Sequence, residues 1–484
     1  MVRFKVSRLG RALLFAGAAS LVAGPALADE LRDALALAYQ SNPTLQSARA
    51  QQRAVDETVP IAKAAGLPSL SGTVTYTEFV KTSANSFTSP SRALDANSTL
   101  GVPVYSGGAV KNSVRAAETR VGAGQADLRG VESGVFSQVV AAYMDVILAQ
   151  EVVRLNQSNV KQLSVNLQAS KDRFEIGDLT RTDVAQSDSR LALSRGQLRS
   201  AEANLIAARE RYIQVVGKAP VDLRSPPPLA GLPGSAEEAV TIALDHNPDL
   251  LAARQRSKAA GYDVRVASAG RLPKVSVFVG GDYTDYLGTL GGSVPGQFTQ
   301  MSTTAQAGVR ASIPIFQGGL PAAQRRAAQA REDATMETEV GVERAVVANV
   351  RSAYAQWQAA QSLIGSSQTA VDAAALGLEG VRAENTVGNR TILDILNAEQ
   401  ELLGAQVQLA TARRNAYVAG FNLLAAMGKA EARDLGLDGG ALYDPEVNYE
   451  RVRGKIWDWS NDPAPTTEAT RTVDTPAQTG SVTP

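Results

Sequence analysis

The residues best placed to do chemistry lie in two short segments, 176–184 and 387–395, that share one spacing. In each, a threonine follows a glycine by three residues and an aspartate follows the threonine by three: Gly177, Thr180 and Asp183, then Gly388, Thr391 and Asp394. What these residue types offer is charge and hydrogen bonding. The two segments are therefore the candidate functional sites.

Other kinds of chemistry find no support in the sequence. The chain has no cysteine, which excludes a disulfide framework, a thiolate metal site and a lipidated N-terminal cysteine. The only histidine, His246, lies beside Asn247-Pro248 without a ligand cluster, so we expect a surface or cap residue. No nucleophile motif, paired carboxylates or metal spacing stands out, and 48 basic against 48 acidic residues indicate no nucleic-acid partner. We therefore expect a protein that is not an enzyme and needs no cofactor.

The chain is a tandem duplication. Residues 102–219 align without a gap onto 313–430 at an offset of 211, and upstream the copy continues at an offset of 205. Asn42-Pro43 recurs as Asn247-Pro248, and Gly217 recurs as Gly428. The architecture is therefore predicted for one half, 29–219, and repeated in the other, 235–432. Between them, five prolines in 220–234 predict a stiff, extended linker.

Residues 1–28 have the pattern of a secretory signal. A basic start precedes a short apolar run, and Ala26-Leu27-Ala28 offers small residues to a signal peptidase. The alternative is a membrane-anchoring helix, but the run is shorter than the ~20 residues that span a bilayer. We expect the mature chain to begin near Asp29.

Each half then changes from helical to strand periodicity. Helical stretches at 33–65 and 237–269 are interrupted by the Asn-Pro pairs, which predicts two short helices in each. The four predicted strands have about the 9 to 11 residues that a tilted strand needs to cross a membrane. They cover approximately 69–80, 96–106, 274–286 and 302–316, joined in pairs by Gly- and Ser-rich loops at 82–95 and 287–300. The alternative is two soluble hairpins on a helical protein.

Long helices complete each half. Residues 109–175 contain no proline, and an apolar residue recurs every seven positions: Val139, Val146, Val153, Val160, Leu167 and Phe174. A return helix follows each of the two segments and ends at Gly217 or Gly428. Sustained heptads predict coiled-coil packing, and 67 residues make roughly 100 Å of helix.

Strands in a membrane must close into a barrel, because an open edge leaves backbone groups without hydrogen bonds. Four strands cannot close alone, and about eight make a barrel that its own side chains fill. Three chains would supply twelve strands with a lumen and a tube of twelve helices. The sequence therefore favours a homotrimer that is mainly α, with a 12-strand β-barrel in a membrane and a 12-helix α-barrel.

From Asp29 to about Ala432 the chain resembles the TolC-type outer-membrane factors. The motifs that carry the resemblance are VPVYSGG at 102–108, IPIFQGG at 313–319, IGDLTRTDV at 176–184 and VGNRTILDI at 387–395. The resemblance implies a trimeric export duct, anchored in the lipid of a bacterial outer membrane and extending across the periplasm. A periplasmic adaptor and an inner-membrane ABC transporter or proton-driven pump would dock at or near its helical end.

The resemblance also implies roles for the two segments. They would form the periplasmic tips of the duct, whereas the residues alone leave open a plain helical-hairpin turn at each glycine. The residues that would contact the adaptor are Gly177, Asp178, Leu179, Thr180, Gly388, Asn389 and Thr391. A gate arginine at Arg390 would bond to the first tip at Thr182 and Asp183.

In the well-studied family member, two aspartates one helical turn apart form rings at the narrowest point of the duct. Asp394 matches the first of them. Three like charges at ~6 Å repel by a few kcal/mol per pair at an effective dielectric constant of about 20. We therefore expect cation selectivity and block by multivalent cations. Two positions depart from the well-studied family member: Asn385 replaces a gate tyrosine and Asn397 a second ring aspartate. These changes predict a weaker closed-state network and one carboxylate ring instead of two.

The cargo and the C-terminal segments are less constrained. Type I protein secretion is favoured because non-lipidated members often serve such systems, with small-molecule efflux as the alternative. A soluble periplasmic coiled-coil scaffold is the alternative of a different class. Residues 433–460, with Trp457 and Trp459, are expected to pack against the waist of the tube as an equatorial segment. Residues 461–484, rich in Pro and Thr, are expected to be disordered.

Overall fold

The computed structural model of the chain describes residues 30–81, 89–291, 298–437 and 442–482. The predicted signal, 1–28, and the loop residues 82–88 and 292–297 lie outside these ranges. The first half contains α1 (Leu31–Ser41), α2 (Pro43–Asp56), α3 (Thr58–Ala64), β1 (Ser69–Glu78), β2 (Arg92–Tyr105), α4 (Ala109–Glu175) and α5 (Arg181–Val216). The second half contains α6 (Ala236–His246), α7 (Pro248–Ser268), a short 3₁₀ turn (Ala269–Arg271), β3 (Lys274–Asp285), β4 (Met301–Ser312), α8 (Leu320–Thr386) and α9 (Ile392–Ala426). A last helix, α10 (Pro445–Val452), follows both halves.

The two Asn-Pro pairs each end one helix and begin the next. The Asn42 side chain accepts hydrogen bonds from the backbone N–H groups of Thr44 (2.9 Å) and Leu45 (3.4 Å), and Pro43 occupies the first helical position. The side-chain amide nitrogen of Asn42 donates to the carbonyl of Val215 near the end of α5 (2.8 Å). Asn247 makes the equivalent bond to Ala426 in the second half (2.9 Å). Each pair therefore ties a helix restart to the end of a return helix.

The first opening segment contains one more break than predicted. At Glu57 the chain leaves α2 and α3 begins, so the segment forms three helices, whereas its duplicate forms α6 and α7. The difference follows from Pro60, which lacks the N–H that would continue an unbroken ladder of hydrogen bonds from α2.

The four strands form one antiparallel sheet in the order β1-β2-β3-β4. Cross-strand partners lie on the same face of a sheet, and the register places Leu70 opposite Leu100, Leu100 opposite Val279 and Val279 opposite Ala307. The neighbouring row on the other face joins Ser71, Thr99, Gly280 and Gln306. One face is therefore apolar and uncovered within the protomer, and the other is polar.

Two strand ends differ from the prediction. β2 begins at Arg92 rather than near 96, because its pairing with β1 continues to Glu78. β4 ends at Ser312 rather than near 316. Pro314 lies two residues beyond, and proline cannot donate a hydrogen bond to a strand ladder.

The helical core is centred on α4. The heptad residues Val139, Val146 and Val153 are fully buried, and one stretch of α4 is long and apolar enough to cross a membrane by length and composition. Half of that stretch is buried inside the protomer, as expected of a core helix. The hydroxyl of Tyr143 donates to the carbonyl of Arg224 (2.7 Å), and its duplicate Tyr354 donates to Gly234 (3.0 Å). The linker 220–234 is thereby held by one tyrosine from each half.

The first part of the C-terminal segment packs on the helical core, where Leu437 is buried and Tyr443 lies against it. Trp457 and Trp459 do not share this packing within the protomer, because their side chains are 72% and 80% exposed. Residues 461–482 contain no helix or strand, but their last part lies against α5 instead of being free. The backbone N–H of Gln478 donates to Glu210 (3.2 Å), and Arg209 donates to the carbonyls of Thr479 and Ser481. Backbone groups of the tail thus form hydrogen bonds with side chains of α5, which the composition of the tail does not predict.

Candidate functional site at the helical tips

The two tip segments have the same backbone geometry. Gly177 and Gly388 follow the ends of α4 and α8 with φ of +83° each, in the left-handed region that favours glycine. The N–H of Asp178 donates to the carbonyl of Arg173 (2.9 Å), and the N–H of Gly177 donates to Phe174 (3.0 Å). Asn389 and Gly388 repeat this pattern with Glu384 and Asn385. These are Schellman motifs, which satisfy the last carbonyls of a helix and reverse the chain.

The return helices begin with identical capping boxes. At the first tip, Thr180 accepts from the N–H of Asp183, and the N–H and hydroxyl of Thr180 donate to the Asp183 carboxylate (2.9 and 2.7 Å). Thr391 and Asp394 repeat the box at the second tip, with distances of 2.9 and 2.8 Å. The backbone and hydroxyl hydrogen bonds from Thr391 lower the pKa of Asp394. The repeated Gly-Thr-Asp spacing therefore encodes a helix stop and a helix start, and it leaves a partly exposed, ionised carboxylate at each tip.

An ion pair closes each tip, with its charges reversed between the two halves. Arg173 contacts Asp178 across the first turn (2.6 Å), whereas Glu384 contacts Arg390 across the second (2.7 Å). Arg173 and Glu384 are equivalent positions of the duplication, 211 residues apart. The tip loops consequently carry opposite charges, with Asp178 on the first and Arg390 on the second.

Within one protomer, Arg390 does not reach the partners that the family resemblance implies. Its guanidinium binds Glu384, and the Glu384 carboxylate raises the pKa of Arg390. The Asp183 carboxylate is already bound by Thr180, and the exposed Thr182 makes no side-chain hydrogen bond within the described part of the chain. The structure thus brings Arg390 to its own tip and leaves Thr182 and Asp183 on the neighbouring one.

The two asparagines that depart from the family pattern both make hydrogen bonds. The side-chain amide N–H of Asn385 donates to the carbonyl of Arg390 (2.7 Å) and so bridges the turn of the second tip. Asn397 accepts from the guanidinium of Arg190 on α5 (2.7 Å). Asn397 therefore links the two return helices.

The sequence analysis missed a polar cluster around the buried Glu399. This cluster joins the first helical hairpin, α4–α5, to the second, α8–α9. The side chain of Glu399, 4% exposed, accepts from Arg382 of α8 (2.9 Å) and from Asn166 of α4 (2.9 and 3.0 Å). Next to it, Leu396 packs with Leu163, Leu167 and Leu191 of the first hairpin. The signal was present: Ile392, Ile395, Glu399 and Leu403 follow helical spacing, so a carboxylate occupies a position of the apolar seam.

The arrangement offers exposed charge and reversible ion pairs. Among the residues that the structure describes, no group of three or more His, Asp and Glu side chains is placed to hold a metal ion. The chemistry that these side chains can supply is electrostatic: they can attract or repel ions and form salt bridges.

Comparisons with known proteins agree with this architecture. Residues 34–218 and 239–429 match the model of the family described as outer membrane efflux protein, one stretch in each half. The chain is 34% identical over 431 residues to the outer membrane efflux protein BepC of Brucella suis, covering 89% of this chain and 92% of that protein. It is 28% identical over 311 residues to the alkaline protease secretion protein AprF of Pseudomonas aeruginosa, covering 62% of each.

A solved structure of CusC shares the fold. The two superimpose with a TM-score of 0.72 at 18% identity, over 83% of this chain and 92% of that one. The chain belongs to the outer membrane efflux protein family and is an export channel of the outer membrane.

Proposed function

We propose that the protein is a homotrimeric duct for type I protein secretion, which receives polypeptides from an inner-membrane ABC transporter through a periplasmic adaptor. The observation that carries the assembly is the open sheet. In the described part of the chain, β1 and β4 each pair on one side only. An open edge is not tolerated in hydrocarbon, so further strands must complete it.

Copies of the same chain fit the open edges. Because the sheet has an even number of antiparallel strands, β1 and β4 run in opposite directions. The β4 edge of one copy can therefore accept β1 of the next without breaking the antiparallel order. Three copies give twelve strands, which is wide enough for a lumen, and the polar row through Thr99 and Gln306 would line it.

The helices support the same arrangement. The duplicates α4 and α8 have 67 residues each, yet α4 has 21 buried residues and α8 has seven. Equivalent sequence positions are thus covered in the first half and open in the second. A neighbouring copy packed against α8 would supply the missing cover.

The tips are proposed as the gate and the adaptor contact. In the trimer, Asp394 of each copy would contribute to one ring of carboxylates. Arg390 would hold the tip closed through Glu384, and it could exchange that partner for Thr182 or Asp183 of a first tip when copies are in contact. The seven tip residues from Gly177 to Thr391 named above would meet the adaptor.

Two relatives support different cargoes. The similarity to AprF, whose name concerns protease secretion, supports a polypeptide cargo. The similarity to BepC, whose name concerns efflux, supports small molecules and a proton-driven pump as the second candidate.

Assembly is tested by the native mass and the single-channel conductance of detergent-purified protein. We expect the mass of three chains and stable conducting steps in planar bilayers. A monomeric mass, extraction without detergent or an absence of conductance would contradict the duct and favour the soluble scaffold.

Cargo is tested in the source bacterium by deleting the gene and restoring it on a plasmid. Protein secretion predicts that specific polypeptides disappear from the culture supernatant and return on complementation. An unchanged set of secreted proteins, together with greater sensitivity to toxic small molecules, would favour efflux instead.

A further inference from the structure

The loop after α10 exposes three large apolar side chains. Ile456, Trp457 and Trp459 are 74%, 72% and 80% exposed, the two tryptophans within one tight turn in which the N–H of Ser460 donates to the carbonyl of Trp457 (3.1 Å). We call residues 455–462 the tryptophan loop.

The base of the tryptophan loop is clamped by charge. The Asp462 carboxylate accepts two hydrogen bonds from the guanidinium of Arg451 (2.8 Å each) and one from Lys455 (3.0 Å). A bidentate arginine pair fixes geometry as well as contributing energy. The apolar side chains are therefore held outward on a closed loop.

Contacts of α10 place this loop beside the membrane end of the helical tube. Asn448 donates to Asp56 of α2 (2.7 Å), and the carbonyl of Arg453 accepts from Lys63 of α3 (3.0 Å). Between them, Tyr449 packs against Val59. The helix α10 thus runs alongside α2 and α3 towards the sheet.

The first strand begins close to the last of these contacts. Ser69, where β1 starts, follows Lys63 by six residues, and Trp457 follows Arg453 by four. At no more than ~3.6 Å per residue, Trp457 lies within about 15 Å of Arg453 and Ser69 within about 22 Å of Lys63. The end of α3 also lies against the start of α4, where a Cβ on Gly66 would meet Val110 at 2.8 Å. The tryptophan loop and the start of β1 are therefore at the same end of the helical region.

The sheet carries exposed aromatic residues at the same end. Tyr105 is the last residue of β2, and Phe316 follows β4 by four residues. In membrane barrels, exposed aromatic residues concentrate where the strands leave the hydrocarbon and enter the headgroup region. Tryptophan prefers that region because its ring is apolar and its indole N–H is a donor.

We propose that the tryptophan loop is a second membrane contact, with Trp457 and Trp459 seated in the headgroup region of the periplasmic leaflet beside the barrel. The occupant of this apolar surface is lipid, because the surface continues the aromatic end of the barrel. Asp458 lies between the two tryptophans and keeps the turn at headgroup depth, since a carboxylate is costly in hydrocarbon. The contact depends on the outer-membrane location and on neither the cargo nor the gate.

The chain supplies its own control for a fluorescence test. It has three tryptophans, and the third, Trp357, packs edge-on against Tyr354 in α8. Trp357 lies 37 residues from the start of α8, about 55 Å from the barrel along the helix. Trp357→Phe leaves only the loop emission, and Trp457→Ser combined with Trp459→Ser leaves only the distant reporter.

The purified variants are placed in phospholipid vesicles that carry a nitroxide either near the headgroup or at the end of the acyl chain. We expect the headgroup nitroxide to remove most of the loop emission and the chain-end nitroxide to remove little. Trp357 should respond to neither. If Trp357→Phe disturbs assembly, the emission of the loop is obtained instead by subtraction. The emission of the double serine variant is subtracted from that of wild type at each nitroxide position.

Two outcomes would overturn the proposal. In the first, the headgroup nitroxide fails to quench the loop emission. Quenching by acrylamide would then place the loop in water, and resistance to acrylamide would place it under another protein surface. Equal quenching by both nitroxides would place the loop in the hydrocarbon core and not at headgroup depth. Asp462→Ala should open the clamp and weaken headgroup quenching with both tryptophans present, and unchanged quenching would refute the role of the clamp.

Discussion

Asp394 combines a structural and an electrostatic role in one carboxylate. It accepts hydrogen bonds from the N–H and hydroxyl of Thr391 and remains partly exposed on the first turn of α9. The cap fixes its position, and the same hydrogen bonds favour its charged form. A charge that is fixed and ionised is what an ion filter requires.

Replacing Asp394 should remove cation selectivity from the channel. Asp394→Ala deletes charge and cap together, whereas Asp394→Asn keeps an acceptor for Thr391 and deletes the charge alone. We expect both to shift the reversal potential in a salt gradient towards zero, measured in planar bilayers. Asp183→Asn, the equivalent change at the first tip, is the matched control. Equal selectivity in wild type and Asp394→Ala would refute the ring.

The pH dependence of selectivity should change when Thr391 is altered. Because hydrogen bonds from Thr391 lower the pKa of Asp394, the folded state gains stability above the ordinary aspartate pKa and loses it as pH falls through the lowered value. Thr391→Ala removes the hydroxyl bond and should raise that pKa. Selectivity, measured as reversal potential against pH, should then be lost at a higher pH than in wild type. Thr180→Ala is the control, and identical titrations for Thr391→Ala and wild type would contradict the assignment.

Loss of Arg390 should loosen the second tip. Arg390→Ala breaks the pair with Glu384, and we expect a higher single-channel conductance because the tip can then splay. Arg173→Ala breaks the corresponding pair with Asp178 at the first tip and serves as the comparison. If conductance does not change in Arg390→Ala, Arg390 is not part of the gate.

At the scale of elements, the two hairpins are joined by a polar contact inside an apolar seam. Glu399 of α9 binds Arg382 of α8 and Asn166 of α4, beside the cluster around Leu396. Charged acceptors in such positions constrain geometry, because leaving either partner unpaired is costly. The cluster can thus set how the second hairpin lies on the first.

Removing the shared acceptor should destabilise that packing. Glu399→Ala removes the hydrogen bonds to Arg382 and Asn166. Because Arg382 is 45% exposed and water can replace the acceptor there, we expect a loss of about 1 kcal/mol, the net contribution of an ordinary hydrogen bond. We expect a lower midpoint of thermal unfolding by circular dichroism at the helical band. Glu401→Ala, an exposed position two residues along α9, is the control. Equal midpoints for the two variants would show that the cluster contributes nothing.

The prediction of elements succeeded where the signal was local. The 67 residues of α4 match the predicted range 109–175, because the absence of proline and the heptad repeat both act along one helix. The start of α3, the early start of β2 and the exposure of Trp457 escaped prediction. The start of β2 depends on its pairing with β1, and the exposure of Trp457 depends on where the C-terminal loop lies. The start of α3 follows from Pro60, a local signal that the prediction did not use.

At the scale of the molecule, one protomer is incomplete. Among the residues that the structure describes, the sheet has two open edges, its apolar face is uncovered, and α8 is much less buried than α4. All three features are satisfied by a ring of copies in a bilayer.

Closure between copies can be tested by engineered disulfides. The chain has no native cysteine, so any cross-link reports an introduced pair. Thr73→Cys in β1, combined in turn with a cysteine at each position from 302 to 312 of β4, should give covalent trimers at positions of one register. As a control, Thr73→Cys combined with a cysteine in α9 should give no cross-linked trimer. Oxidised samples that remain monomeric for every pair would contradict the barrel.

The sequence by itself determined the duplicated plan, the long helices, the membrane strands and the glycine turns with their caps, because heptads, alternation and capping act between residues that are near in sequence. The tertiary structure alone decided which charges meet. Arg390 binds Glu384, Glu399 is buried between the hairpins, and the tryptophans of the C-terminal loop remain exposed near the barrel. The burial of Glu399 and the position of the C-terminal loop depend on how elements distant in sequence pack against each other. The Arg390–Glu384 pair spans six residues, but it forms only because the tip turn brings the two side chains together.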